Sequence, residues 1–150
     1  MITLVIDASI AVKWVVGEEG AEAAAAIRNG AQFVAPDLLL PECGNILWKK
    51  VQRSELSKDE AVLAARLLMV AKIELVSTRA LLEPATQMAI ELQHPAYDCF
   101  YLALAEAQDC RMVTADERLL RRLARDAATA YRERAISLAD AAATMGAPRA

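Results

Sequence analysis

Two short runs in this chain stop at an aspartate: the apolar Ile2–Ile6 at Asp7, and Arg111–Thr114 at Asp116 after one alanine. Partly β-branched runs that end at an acid read as buried parallel strands, which need continuous apolar residues and meet polar ground only at the sheet edge. Residues 32–35 and Ile73–Val76 read as further strands, and 130–138 as holding a last one. Helical patterns lie between them. Asp7 and Ser9 can cap a helix with Ile10, Val12, Trp14 and Val15 as its apolar surface and Gly17 at its end. Residues 22–29 form an alanine-rich helix stopped by Gly30. Pro36-Asp37 opens a helical segment through Arg53, in which Pro41 is tolerated only at a first turn, so Glu42 falls in that turn. Ser57-Lys58-Asp59-Glu60 has the form of a capping box ahead of Val62, Leu63, Leu67, Leu68 and Val70. Leu82–Leu92 reads as a helix with Pro84 in its first turn, and His94-Pro95 breaks the chain. Residues 97–108 are apolar nearly all round and predict a buried helix with Asp98 in its first turn. Residues 117–126 predict a polar helix.

Strands alternating with helices predict an α/β fold, a mostly parallel sheet covered on both faces, with ligands at the carboxyl ends of the strands. With 150 residues, 56% of them hydrophobic, one domain over residues 1–150 can build its core without disulfides. Cys43, Cys99 and Cys110 form no CxxC pair, which points to a reducing, cytoplasmic setting. No basic region precedes the first apolar run, so it does not read as a signal peptide. Arg66, Lys72 and Glu74 interrupt the segment 61–76, well short of the ~20 apolar residues of a membrane span. The net charge of -3 argues against a generally basic coat but is silent on local distribution.

Asp7 and Asp116 follow strands, while Glu42 and Asp98 begin helices, so all four acids map to one edge of the sheet. Each alone has an ordinary explanation as a helix cap or a first-turn acid, worth a few tenths of a kcal/mol against the helix dipole. Together they are harder to explain, because two carboxylates about 4 Å apart repel by roughly 4 kcal/mol at an effective dielectric of ~20. A hard divalent cation removes that repulsion, and Mg²⁺ in particular takes a few carboxylates and leaves positions open for phosphate oxygens. An acid cluster without spaced Cys or His partners thus points to phosphate chemistry; Cys43 and Cys99, beside two of the acids, read as small buried residues. His94 reads as a structural loop residue.

Four segments carry a family resemblance: Val5-Ile6-Asp7-Ala8-Ser9; Pro41-Glu42-Cys43-Gly44-Asn45-Ile46-Leu47; Tyr97-Asp98-Cys99-Phe100-Tyr101-Leu102-Ala103-Leu104-Ala105; and Val113-Thr114-Ala115-Asp116-Glu117-Arg118-Leu119. In this order they resemble the PIN-domain ribonucleases, above all the toxins of VapBC toxin–antitoxin systems, over nearly the whole chain. The resemblance implies a three-layer α/β/α PIN-like fold. It also implies that Asp7, Asp98 and Asp116 are the principal ligands of one or two Mg²⁺ or Mn²⁺ ions, with Glu42 binding a second ion or orienting the water that attacks an RNA phosphodiester. Ser9, Asn45 and Thr114 match polar positions of the motifs, where they would hydrogen-bond to the carboxylates or serve only as caps and turns. A VapB-type antitoxin that occludes the acidic cleft with a cationic side chain, and homodimers with Trp14 and Trp48 at candidate interfaces, are further implications.

Glu117 reads either as a fifth acid beside the site, with a role in holding metal, or as an ordinary acid at a helix start. Arg118, Arg121, Arg122 and Arg125 share one helix face near Asp116, as an RNA-tracking stripe or as a solvated face. Lys49, Lys50 and Arg53 form a second basic group with the same two readings, and Lys13 and Trp14 follow Asp7 closely enough to contact RNA, Trp14 having core or interface as its other reading. Two rival functions remain. A phosphoacceptor domain of similar architecture needs paired acids after the first strand and a late lysine, and this chain has Ala8 and Ser9 after Asp7 and no lysine near Asp116. A non-catalytic interaction module predicts lost acids, and all four are present.

Overall fold

The computed structural model describes residues 1–125 and 130–145. Its strands are β1 (Ile2–Ile6), β2 (Ala31–Pro36), β3 (Ile73–Val76), β4 (Arg111–Thr114) and β5 (Ala135–Ser137). They form one sheet in the order β3-β2-β1-β4-β5, with every neighbouring pair parallel. β1 lies at the centre. Its successive residues Leu4, Val5 and Ile6 point to alternate faces and are all buried, so helices cover the sheet on both sides. This is the α/β/α architecture the alternation predicts.

The helices are α1 (Ala8–Lys13), α2 (Ala21–Arg28), α3 (Leu39–Gln52), α4 (Lys58–Met69), α5 (Leu82–Leu92), α6 (Ala96–Ala107), α7 (Glu117–Arg125) and α8 (Leu138–Thr144). Local chemistry accounts for their boundaries. The Asp7 side chain accepts from the Ile10 amide and starts α1. Ser57 and Glu60 complete a reciprocal capping box at α4. Pro41 sits in the first turn of α3, where its missing N–H breaks no helical bond. Cys99 and the run Tyr101–Ala105 on α6 are buried, as its all-round apolarity predicts. No helix among the described residues is long and apolar enough to cross a membrane.

Several boundaries differ from the sequence reading: α1 stops at Lys13, with Trp14 as its cap, and does not run on to Gly17. α3 opens at Leu39 rather than at Pro36-Asp37: Pro36 ends β2, and Asp37 ties two strand ends together, its amide donating to the Val76 carbonyl (2.8 Å) and its carboxylate accepting from the Thr78 amide (3.1 Å). Within 130–138 only Ala135–Ser137 is strand, and α8 follows where no helix was expected, started by Ser137 accepting from the Asp140 amide. Asp126, expected to end α7, lies outside the described residues.

Gly44 is exposed in the middle of α3, and a Cβ there would meet nothing within 4 Å. Gly44→Ala is therefore expected to stabilise the protein by about 1 kcal/mol through helix propensity, read as a raised denaturant midpoint with unchanged slope. An unchanged or lowered midpoint would mean that the position is not open.

Candidate active site

The order β3-β2-β1-β4-β5 makes the chain reverse direction across the sheet between β1 and β4, and in open parallel sheets the crevice outside the carboxyl ends at such a point is where ligands bind. Asp7 leaves the end of β1 there and Asp116 follows β4. Glu42 reaches the same place from the first turn of α3, and Asp98 from the first turn of α6. All four line one cavity of about 500 Å³, together with Ser9, Asn45, Leu38, Pro41, Ile46 and Tyr97. Each acid also sits at a helix start, where the positive end of the helix dipole offsets part of its charge. The capping and clustering explanations are thus both true of the same residues.

Asp7 is the most constrained of the four. Ser9 Oγ donates to its Oδ1 (2.5 Å), as does the Ile10 amide (3.2 Å), and Thr114 Oγ1 donates to Oδ2 (2.5 Å). The Thr114 hydroxyl accepts in turn from the Asp116 amide (2.9 Å), and Ser9 Oγ from the Ala115 amide (3.3 Å), so one network joins the ends of β1 and β4. Burial raises the Asp7 pKa from 3.8 to about 6; the Ser9, Thr114 and Ile10 hydrogen bonds oppose that rise, and the charge of Asp98 adds to it. Asp116 Oδ1 accepts from the amides of Arg118 (2.9 Å) and Leu119 (3.4 Å), capping α7.

Asp98 is where the charges meet. Its pKa is raised first by burial and further by the charge of Asp116, while the hydrogen bond to His94 works in the opposite direction. Glu42 is likewise raised by burial and by Asp98, with a hydrogen bond from Tyr101 opposing. As the side chains stand, no three Asp, Glu, His or Cys groups among the described residues surround a common point closely enough to hold a metal ion. The donor set nevertheless suits a hard cation. It consists of carboxylates alone, and the buried thiols of Cys43 and Cys99 are pushed up to about 12 and about 11, far from the thiolate a soft metal requires.

Two contacts to the acids were not foreseen. His94, read from sequence as a structural loop residue, is 8% exposed, and its Nε2 stands 2.6 Å from Asp98 Oδ2. The chain turns at Gln93 in the left-handed region (φ 50°), and Pro95 then starts α6, which sets His94 four residues before Asp98. Tyr101 Oη donates to Glu42 Oε1 at 2.5 Å across 59 residues of sequence. A signal for Tyr101 existed: a buried tyrosine needs a partner for its hydroxyl, and this one lies three residues from Asp98 on the same helix face. Tyr97, also not singled out, is 64% exposed at the cavity.

Of the polar motif positions, Ser9 and Thr114 bond to Asp7 as described. Asn45 lines the cavity but is exposed and makes no hydrogen bond to an acid among the described residues. The basic groups divide in the same way. Arg118, Arg121, Arg125 and Lys49 are exposed, but Arg122 is half-buried and donates through Nε to the Leu92 carbonyl at the end of α5. Lys50 is held by Glu18 (2.5 Å), which also pairs with Lys13 (3.4 Å). Trp14 donates to the Ala24 carbonyl (2.8 Å) and packs edge-on against Phe33, in the core margin rather than at the cavity. Glu117 is exposed and does not line the cavity.

The PIN-domain family model matches residues 4–126, which span β1 to β4 and all four acids. The chain belongs to the PIN-domain family. Among curated relatives it is similar to Ribonuclease VapC3 of Pyrobaculum aerophilum, at 32% identity over 119 residues, covering 77% of this chain and 91% of the relative. A crystal structure of the Pyrobaculum aerophilum protein PAE2754 shares the fold at a TM-score of 0.71 and 22% identity, covering 96% of this chain and 95% of that one. The Mycobacterium tuberculosis VapC20, a sarcin-ricin loop cleaving toxin, shares it at a TM-score of 0.57 and 15% identity, covering 72% and 85%. So does VapBC2 from Rickettsia felis bound to promoter DNA, at a TM-score of 0.56 and 13% identity, covering 80% and 92%.

Proposed function

We propose that this chain is a divalent-metal-dependent endoribonuclease and the toxin of a VapBC-type pair. The observation that carries the reading is the convergence of Asp7, Glu42, Asp98 and Asp116 on one cavity at the switch point of the sheet, with the carboxyls of Asp7, Glu42 and Asp98 all harder to ionise than usual. Structural stability alone gives no reason to gather them. The 32% identity to Ribonuclease VapC3 supports RNA as the substrate class.

In this reading Asp7, Asp98 and Asp116 would hold Mg²⁺ or Mn²⁺, drawing together as the cation neutralises them. When bound, the metal supplies Lewis acidity toward a phosphate oxygen and eases deprotonation of the attacking water. The remaining work falls to the chain's own side chains. Ser9 and Thr114 fix both oxygens of Asp7, and His94 fixes one oxygen of Asp98. Glu42 would either bind a second ion or accept a hydrogen bond from the attacking water. Exposed Arg118, Arg121 and Lys49 would follow the RNA backbone, and Arg122 would contribute less because the Leu92 carbonyl holds it.

A VapB-type antitoxin is the expected partner, with a cationic side chain entering the acidic cavity, and the cytoplasm the expected compartment. Exposed Leu40 and Trp48 on α3 support a homodimer contact. Single-stranded RNA incubated with the purified chain should be cut with Mg²⁺ or Mn²⁺ and left intact with chelator, and Asp98→Asn should remove the cleavage. Metal-dependent cleavage that survives Asp98→Asn would overturn the site assignment, and cleavage indifferent to chelator would overturn metal dependence.

A further inference from the structure

We infer that Tyr101 is a positioning residue that holds and orients the Glu42 carboxylate at the cavity. The inference rests on the metal-nuclease reading above and concerns how its fourth acid works. Three observations carry it.

Tyr101 is 1% exposed in the middle of the most buried helix, and its hydroxyl reaches out of α6 to Glu42 Oε1 at 2.5 Å. A phenol is protonated at neutral pH, and here its hydroxyl is the donor to the carboxylate. Glu42, in contrast, stands in the first turn of α3 with only part of its side chain covered, and Asp98 repels it. A long carboxylate side chain in that situation gains by swinging out to water. The bond from Tyr101 is the one hydrogen bond to the Glu42 carboxylate among the described residues, and it holds the group at the cavity against that repulsion.

The geometry also divides the two oxygens. Oε1 is occupied by Tyr101, and Oε2 accepts no donor from the described residues. Glu42 therefore turns Oε2, with all its lone pairs open, toward a cation or the attacking water, while Oε1 keeps one lone pair for Tyr101. Asp98 and Tyr101 are three residues apart on one face of α6, so the helix places one acid directly and a second through its hydroxyl. Both groups ride on the same rigid element, which keeps the separation of Glu42 and Asp98 fixed.

The test is a double-mutant cycle with Tyr101→Phe and Glu42→Ala on the full chain, read by Mn²⁺ binding in calorimetry and by RNA cleavage. Tyr101→Phe removes one hydroxyl and keeps the ring that packs in the core. It is expected to weaken Mn²⁺ binding or cleavage about 10-fold, the usual scale for a group that orients a ligand. In the Glu42→Ala background the same change should have no further effect beyond about twofold, because Tyr101 acts only through Glu42. A merely structural tyrosine would cause the same proportional loss in both backgrounds, and that additivity would overturn the inference. So would wild-type behaviour of Tyr101→Phe in a protein that binds Mn²⁺ and cuts RNA. Should Tyr101→Phe fail to fold, Glu42→Gln and Glu42→Ala decide: with its oxygen accepting from Tyr101, Gln turns an amide NH2 toward the cation, so it should lose as much Mn²⁺ affinity as Ala, and affinity kept by Gln would overturn the inference. A wild-type chain that neither binds Mn²⁺ nor cuts RNA would overturn the underlying reading and the inference with it.

Discussion

Asp7→Asn is expected to abolish RNA cleavage and yet, in metal-free buffer at pH 7.5, to make the protein more stable by on the order of 2 kcal/mol, roughly 4–8 °C in melting temperature for a chain this size. The reason is the buried charge. Asp7 is 6% exposed, and burial raises its pKa from 3.8 to about 6. A carboxyl whose pKa is higher folded than unfolded binds its proton more tightly in the native state. Its contribution to stability is then fully present below pH 3.8 and is lost as pH rises through about 6. The metal-free wild type should thus weaken between about pH 4 and pH 6, whereas asparagine, neutral throughout, should remove most of that slope. Asparagine keeps the size of the side chain and an oxygen that can accept from Ser9 and Ile10. Melting curves across pH 4–8 for both proteins check the prediction. If Asp7→Asn is less stable than the wild type at pH 7.5 without metal, the hydrogen bonds from Ser9 and Thr114 outweigh the burial of the charge.

The second large effect is the reverse of the first. Mg²⁺ or Mn²⁺ at about a hundred times its dissociation constant should stabilise the wild type by about 2.7 kcal/mol by mass action, a rise of roughly 5–10 °C, and chelator should remove it. The gain should fall sharply in Asp98→Asn, because Asp98 is the carboxyl that interacts with Asp7, Glu42 and Asp116 alike. It should also shrink below about pH 6, where protons compete with the cation for Asp7. Thermal melts with and without metal measure it directly. A wild-type melting temperature indifferent to saturating metal would mean that the four acids do not share an ion.

The parts of this fold that were legible in the sequence are those written in local patterns. β1 is an apolar run and β4 a short strand that both stop at acids, the α4 capping box lies within four residues, and α6 declares its burial by apolarity on nearly every side. The four acids were legible because each stands at the end of a strand or the start of a helix, and parallel topology gathers those positions at one edge. What was not legible depends on tertiary geometry. His94 meets Asp98 only because Gln93 turns the chain left-handed, and Tyr101 meets Glu42 only after α3 and α6 have packed. The spacing of the α7 arginines places them on one face but cannot tell that Arg122 alone finds the end of α5. Lys50 looked like part of a basic group until Glu18, 32 residues away, came to hold it. α8 was missed because its alanines bury little, with Leu138 and Ala141 its buried residues, so the apolar stripe that betrays a helix is short.

The central claim is that Asp7, Glu42, Asp98 and Asp116 form one divalent-cation site. Anomalous scattering from crystals of this chain grown with Mn²⁺ tests it most directly. A strong anomalous peak in the cavity, bonded to oxygens of Asp7, Asp98 and Asp116 at about 2.0–2.3 Å, is the predicted result. Crystals that hold Mn²⁺ only at other surfaces, with those four carboxylates free of it, would contradict the account.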